Sequence, residues 1–469
     1  MRNVLAQGLG RVLALLASFT TFVIVARTFG AEQFGEFAFV MACVSLAGSF
    51  CDLGTTATVA RLLPHVEHAN GARASFIGDF LLLRAMLAIF VAPLAFLGFV
   101  MVKPELALAI GLGCLALPLA SARFFEPLFQ VYEAARYSVF TAFVYAFAQP
   151  AMALVLVVWL QVGLIGYLWG YLATQGLYVV VAVSLLLRLV VPRLRVDLGC
   201  MKTIMIAAAP LGVSAVFNTI NTRADTLMLG YFRSSHEVGL YGAANRVLDL
   251  AIALGVSASL PLVPILSRKL TSDREKTRAA CKRLLELLAL GTLPIALVTP
   301  HISPQLMQLL YGAQYLEAAP VLDLFAWMFV LVGLAVLALS INLAAGKVQY
   351  TYWNTALGAA INLSLNAFLI PRFGILGAAW ASLVSAGTMV LVAQFHLWRN
   401  LGCLFDLTRW TKIGGLVIGL YVALDWASTF GLIHLGSAVG FYAVATWAAG
   451  LLPVQLFRKF RHLGRPRNP

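Results

Sequence analysis

Residues 162–182 read VGLIGYLWGYLATQGLYVVVA, and residues 373–393 read FGILGAAWASLVSAGTMVLVA. Set side by side without a gap, they share Gly163 with Gly374, Gly166 with Gly377, Trp169 with Trp380 and Gly176 with Gly387, at an offset of 211. A second pair, FGAEQFGEF at 29–37 and RSSHEVGLY at 233–241, matches at an offset of 204, with Gly35 on Gly239 and Phe37 on Tyr241. Small residues pack membrane helices and Trp favours interfaces, so such patterns recur by chance. Four identities at the place where a duplication requires them favour a true repeat. The difference of seven residues between the two offsets is what the basic stretch near 267–283 can absorb.

The surrounding sequence says in which medium the repeat folds. Of 469 residues, 61% are hydrophobic and only 11% charged, against about 25% charged in soluble domains; the mean hydropathy is +0.90. The chain is therefore read as an all-α integral membrane protein. A pass needs about 20 apolar residues and a short connection, and the apolar runs lie near 5–27, 34–53, 77–101, 107–129, 138–160, 164–187, 204–231, 239–265, 284–309, 319–345, 351–370, 375–397, 411–430 and 434–456, fourteen in all. An offset near 207 spans six of them, an even number, which gives both halves one orientation. Two parallel six-helix lobes with a site between them are a transporter architecture. The expected division is 1–200 for the first lobe, 201–398 for the second, and 399–469 for two further helices with a basic tail.

The basic residues support this alternation. The net charge is +14, and sorting the 33 Lys and Arg by connection puts 24 on one side, five within spans and only Arg27, Lys103, Arg233 and Arg372 on the other. By the positive-inside rule both termini and the 267–283 loop are expected in the cytoplasm. Topology thus explains the charge without nucleic acid, although the tail RKFRHLGRPR suits anionic lipid. The opening MRNVLAQGLGRVLALLASF reads as a first permanent span rather than a cleaved signal. Six cysteines form no CxxC pair, and His65, Glu67 and His68 lack helical zinc spacing, so neither a disulfide framework nor a metal site is expected.

Several motifs, in order along nearly the whole chain, carry a resemblance. Asp52-Leu53-Gly54, Asp225 followed by Gly239-Leu240-Tyr241 and Asn245-Arg246-Val247, Leu310-Tyr311-Gly312 with Ala318-Ala319-Pro320, and Gly374-Ile375-Leu376-Gly377-Ala378-Ala379 resemble the polysaccharide-exporting flippases. These are Wzx-type O-antigen and capsule translocases of the multidrug/oligosaccharidyl-lipid/polysaccharide exporter superfamily. The resemblance implies a polyprenyl-pyrophosphate-linked oligosaccharide moved from the inner to the outer leaflet of the bacterial inner membrane by alternating access. It also leaves room for H+ or Na+ as coupling ion and for other polysaccharide assembly proteins as partners, and calls for no cofactor. A multidrug and toxin exporter or a lipid II flippase of the same superfamily are the near alternatives. A membrane-embedded glycan polymerase or ligase is the alternative from another class, but the chain has no GxxxxGK, HExxH, GxSxG or DxD and no large outer loop.

Polar residues inside spans mark the candidate site, because a charge in hydrocarbon is costly unless it serves a cavity or a partner. Arg11, Arg84, Arg123, Arg223 and Arg246 lie within spans; central and unpaired, they would cost about 12 to 18 kcal/mol together. Arginine's planar fork suits phosphate oxygens and stays charged, so these five, with Asn218, Asn221 and Asn245, are the candidate substrate-binding residues. Ser214, Asn218, Asn221 and Asp225 recur on one helical face. Acids nearby offer the competing reading of structural pairs: Arg246 with Asp249, Arg123 with Glu126, Arg84 with Asp79. Asp225, Asp249, Asp79 and Asp323 are accordingly candidates for ion coupling or pairing; Glu286, Asp323 and Asp425 could couple transport to a proton gradient, but an isolated acid near a span end is more often a solvated cap.

Overall fold

A computed structural model describes residues 2–66, 71–120, 125–259, 274–344, 348–402, 406–428 and 432–451. Every regular element among them is helical. In lipid each backbone donor and acceptor must be met within the segment, and long apolar runs therefore settle as helices. The first half contains α1 (Arg2–Asp52), α2 (Thr55–Leu62), α3 (Ala72–Val102), α4 (Ala107–Leu115), α5 (Leu117–Ala120), α6 (Phe125–Val131), α7 (Ala135–Ala153) and α8 (Leu164–Leu187). The second contains α9 (Leu198–Phe232), α10 (Ser235–Ser259), α11 (Arg274–Tyr311), α12 (Ala319–Ala344) and α13 (Val348–Leu401), followed by α14 (Leu407–Ser428) and α15 (Leu432–Ala448). Eight helical stretches among the described residues are long and apolar enough to cross a membrane.

Two of these stretches hold two expected spans each. In α1 the helix runs from one span into the next and is broken only at Gly30 (φ 76°, ψ 175°); in α13 the break is Gly374 (φ 55°, ψ −132°). Both dihedral pairs are open to glycine and strained for other residues. The loops expected at 28–33 and 371–374 are therefore single-residue breaks. The expected fourth span is also different: it is divided among α4, α5 and α6, with 121–124 outside the described residues. The expected loop at 267–283 is helical from Arg274 onward, because Glu275 and the alternating charges after it favour a solvated helix start.

Contacts between the halves follow the repeat. A Cβ on Gly35 would lie 1.7 Å from the Ser235 carbonyl oxygen, and one on Gly239 would lie 1.8 Å from the Ala31 carbonyl oxygen. Ala31 and Ser235 are themselves 204 apart, so the contact is reciprocal, as a twofold relation requires. Only backbones without side chains approach this closely.

The buried core shows where the halves meet. At the end bearing Arg27, Lys103 and Tyr315, one continuous cluster joins α1, α4 and α8 to α10, α11, α12 and α13 through Phe34, Phe37, Tyr167, Tyr241, Tyr311, Tyr315 and Phe325. Polar contacts tie the same end: Arg27 Nε donates to the Leu310 carbonyl at 2.8 Å, with a further bond to Leu309, Tyr315 Oη donates to the Ala26 carbonyl at 3.0 Å, and Lys103 Nζ donates to Ser235 Oγ at 3.0 Å. At the opposite end the buried residues form separate clusters, one on α2, α3, α6, α8 and the start of α9, another on α11, α12 and α13. The helices α14 and α15 pack on α11 through Leu290, Leu420, Leu424 and Tyr442.

Candidate functional site

The arginines of α9 and α10 converge on one carboxylate. Asp249 Oδ2 lies 3.2 Å from Arg246 Nη1 and 3.8 Å from Arg223 Nη1. Arg246 precedes Asp249 by one helical turn on α10, while Arg223 reaches it from α9. The Arg246 guanidinium also stacks 3.7 Å from the centroid of the Phe22 ring, which belongs to α1 in the other half. One carboxylate cannot neutralise two guanidinium groups, so the cluster keeps an excess positive charge at the seam between halves. Its side chains are 20 to 40% exposed. Each guanidinium has five N–H donors, and among the described residues Asp249 is the one carboxylate within 4.0 Å of either. Donors are left for an incoming anion.

The neighbouring amides divide. Asn218 is exposed and Asn245 half-buried beside the arginines, whereas Asn221 Nδ2 donates to the Thr355 carbonyl of α13 at 3.0 Å. Asp225 turns the same way and is 5% exposed. Its carboxylate accepts from Tyr241 Oη (2.6 Å), Asn362 Nδ2 (3.0 Å), Asn366 Nδ2 (2.6 Å) and Ser382 Oγ. The polar stripe of α9 thus faces α13 at Asn221 and Asp225 and the seam only beyond them. A buried carboxylate of α9 held by four neutral donors, drawn from α10 and both parts of α13, is an unusual arrangement in an apolar setting. The sequence signal for it was the pair Asn362 and Asn366, four apart on one helical face of the span at 351–370.

In the first half Arg84 has a partner other than the expected Asp79. Its guanidinium pairs with Asp52 and bonds Thr55 Oγ1 at 3.1 Å and Thr56 Oγ1 at 2.9 Å, in a position 5% exposed. Asp79 is five residues away on the same helix and points elsewhere, accepting from the Asp197 amide at 3.2 Å. Asp52 also accepts from the amides of Gly54 and Thr56 at 3.2 and 3.3 Å, so the Asp52-Leu53-Gly54 motif starts α2 and anchors it to α3. Arg84 thus links α3 to the start of α2, and these partners are not those of Arg223 and Arg246. The Arg11 and Arg123 side chains lie outside the described residues. Glu286, expected as a solvated cap, is instead 2% exposed and paired with Arg409 at 2.9 Å and Arg283 at 3.5 Å, pinning α14 to α11. Asp323 on α12 lies beside Ser303 and His301 of α11, away from the arginines.

Known proteins are similar to this chain in sequence and architecture. The profile of the family described as "Polysaccharide biosynthesis protein" matches residues 1–269, more than half the chain, and that of MatE matches residues 210–368. The chain belongs to the polysaccharide biosynthesis protein family. With it comes the multidrug/oligosaccharidyl-lipid/polysaccharide exporter superfamily. Similar relatives include the probable low-salt glycan biosynthesis flippase Agl15 of Haloferax volcanii, 21% identical over 49% of this chain and 46% of that protein. Another is the teichuronic acid biosynthesis protein TuaB of Bacillus subtilis, 22% identical over 39% of this chain and 38% of that one. The chain spans less than half the length of these curated relatives. Among solved structures, the lipid II flippase MurJ in an inward closed conformation superposes with a TM-score of 0.76 at 15% identity, covering 95% of this chain and 97% of that one. An inward-facing MATE multidrug transporter gives 0.70 at 14% identity, covering 83% and 95%. At such identity these two establish the fold alone.

Proposed function

We propose that the protein is a flippase that carries a polyprenyl-pyrophosphate-linked oligosaccharide across the bacterial inner membrane, for cell-surface polysaccharide synthesis, by alternating access of two parallel six-helix lobes. Fourteen spans with both termini in the cytoplasm complete this reading. The observation that carries it is the Arg223, Arg246 and Asp249 cluster at the seam. A pyrophosphate brings at least two negative charges into a low-dielectric region and needs compensating cations there. A multidrug exporter for organic cations would be served poorly by a cluster of net positive charge. The closed end with Arg27 and Tyr315 is the outer one in this reading, and the separated clusters at the opposite end leave the way open from the cytoplasm.

Asp225 is the proposed coupling site. A carboxylate that no described arginine or lysine neutralises is stabilised in the membrane by a proton or a Na+ ion, and its four partners come from segments that must shift when the second lobe rearranges. A chain-deletion strain tests the substrate: accumulation of the complete lipid-linked oligosaccharide on the cytoplasmic leaflet supports the proposal. Accumulation of lipid II selects the peptidoglycan precursor instead, and accumulation of short lipid-linked units on the outer leaflet selects a polymerase or ligase.

A further inference from the structure

We infer that Phe22 is the positioning residue of Arg246 and makes the anion affinity of that arginine depend on closure of the outer end. The inference rests on the proposal that Arg246 meets the pyrophosphate. The two residues lie on opposite halves, and the 3.7 Å stack is the contact that brings them together. A guanidinium donates its hydrogen bonds in its own plane. Stacking the face of Arg246 on Phe22 therefore fixes that plane while leaving its N–H edge for Asp249 and for a phosphate oxygen.

Phe22 is in turn part of the outer closure. Its ring packs on Phe34 at 6.5 Å and on Phe37 at 5.7 Å between centroids. Phe34 packs edge-on against Tyr315 at 6.2 Å, and the Tyr315 hydroxyl donates to the Ala26 carbonyl one turn beyond Phe22. A continuous path thus runs from the cation to the bonds holding the halves together. When the outer end opens, the halves part along this path, and Arg246 loses the ring that orients it. The closed state binds the anion more tightly and the open state releases it. By linkage, bound pyrophosphate favours closure to the same extent. A guanidinium on an aromatic face at a partly desolvated site is worth about 1 kcal/mol, or roughly fivefold in affinity.

The test uses the purified chain in phosphatidylethanolamine nanodiscs, with undecaprenyl pyrophosphate as probe and spin labels at Gln33→Cys and Leu316→Cys reporting the outer separation. Phe22→Leu is expected to weaken binding about fivefold and to reduce the closure that the probe induces. Phe22→Tyr keeps the ring and should bind within about twofold of the parent, separating orientation from folding. In an Arg246→Gln background, Phe22→Leu should have no further effect on binding. Parent-like binding by Phe22→Leu, equal loss in Phe22→Tyr, or independent effects of the two substitutions would overturn the inference while leaving Arg246 as an anion site. Unchanged binding in Arg246→Gln would instead overturn the proposed role of the arginine itself.

Discussion

Adding one methyl group to either Gly35 or Gly239 should force the two halves apart, and adding both should cost little more than adding one. The Cβ atoms would lie 1.7 and 1.8 Å from the facing carbonyl oxygens, and ordinary contact begins at 3.4 Å, so each substitution demands a local separation of about 1.6 Å. Both obstacles lie on backbone, which has no rotamer by which to escape. Overpacking of this kind costs about 1 to 3 kcal/mol, and about 2 kcal/mol is expected for each single Gly→Ala change. Once the helices have separated for the first methyl, the second enters space already made. The double variant should therefore fall well short of the sum, with a coupling energy on the order of 1 to 2 kcal/mol. Reversible unfolding in mixed micelles, titrated with SDS, measures all four members of the cycle. Neutral single substitutions would show that the helices do not meet here, and additive costs would show that the two glycines do not share one contact.

Three further outcomes follow from the polar clusters. Arg84→Gln should lower membrane abundance, because it removes the charged partner of Asp52 and the bonds to Thr55 and Thr56, a loss of about 1.5 to 3 kcal/mol; Asp52→Asn in the same chain should recover part of it, as immunoblotting of membranes will show. Asp225→Asn retains a neutral hydrogen-bonding group of the same shape, so abundance should stay near normal while glycan export is lost; retained export would remove Asp225 from coupling. Glu286→Gln should loosen α14 from α11, seen as faster proteolysis at the start of α14, whereas unchanged cleavage would assign that packing to Leu290, Leu420 and Leu424 alone.

Much of the architecture was legible because it is written in local or periodic terms. Apolar length shows in any single segment, and Gly35 with Gly239 and Gly163 with Gly374 stand at offsets that a duplication makes visible. The Arg246 and Asp249 pair was likewise readable, being one turn apart on one helix. Three-dimensional partnerships were not. Arg84 finds Asp52 on another helix, 32 residues away, and no periodicity relates the two. The four donors around Asp225 come from two other helices, α10 and α13, and of them only Asn362 and Asn366 leave a mark as a polar pair. Glu286 looked like a solvated cap because its partner Arg409 lies 123 residues on, across the connection to α14. The breaks near Gly30 and Gly374 were legible as the gaps at 28–33 and 371–374, but not their form: a single residue with positive φ turns the chain while the residues on either side stay helical.

The most direct measurement is lipid translocation by the purified chain in sealed proteoliposomes, with a fluorescent polyprenyl-pyrophosphate-linked oligosaccharide on one leaflet and its exposure on the other followed by glycosidase access. The account predicts protein-dependent translocation that falls to the background of empty liposomes when Arg223 and Arg246 are both replaced by Gln, in a variant that remains folded and inserted. Equal translocation by the parent and the double variant, or none above empty liposomes by the parent under an imposed proton or sodium gradient, would contradict it.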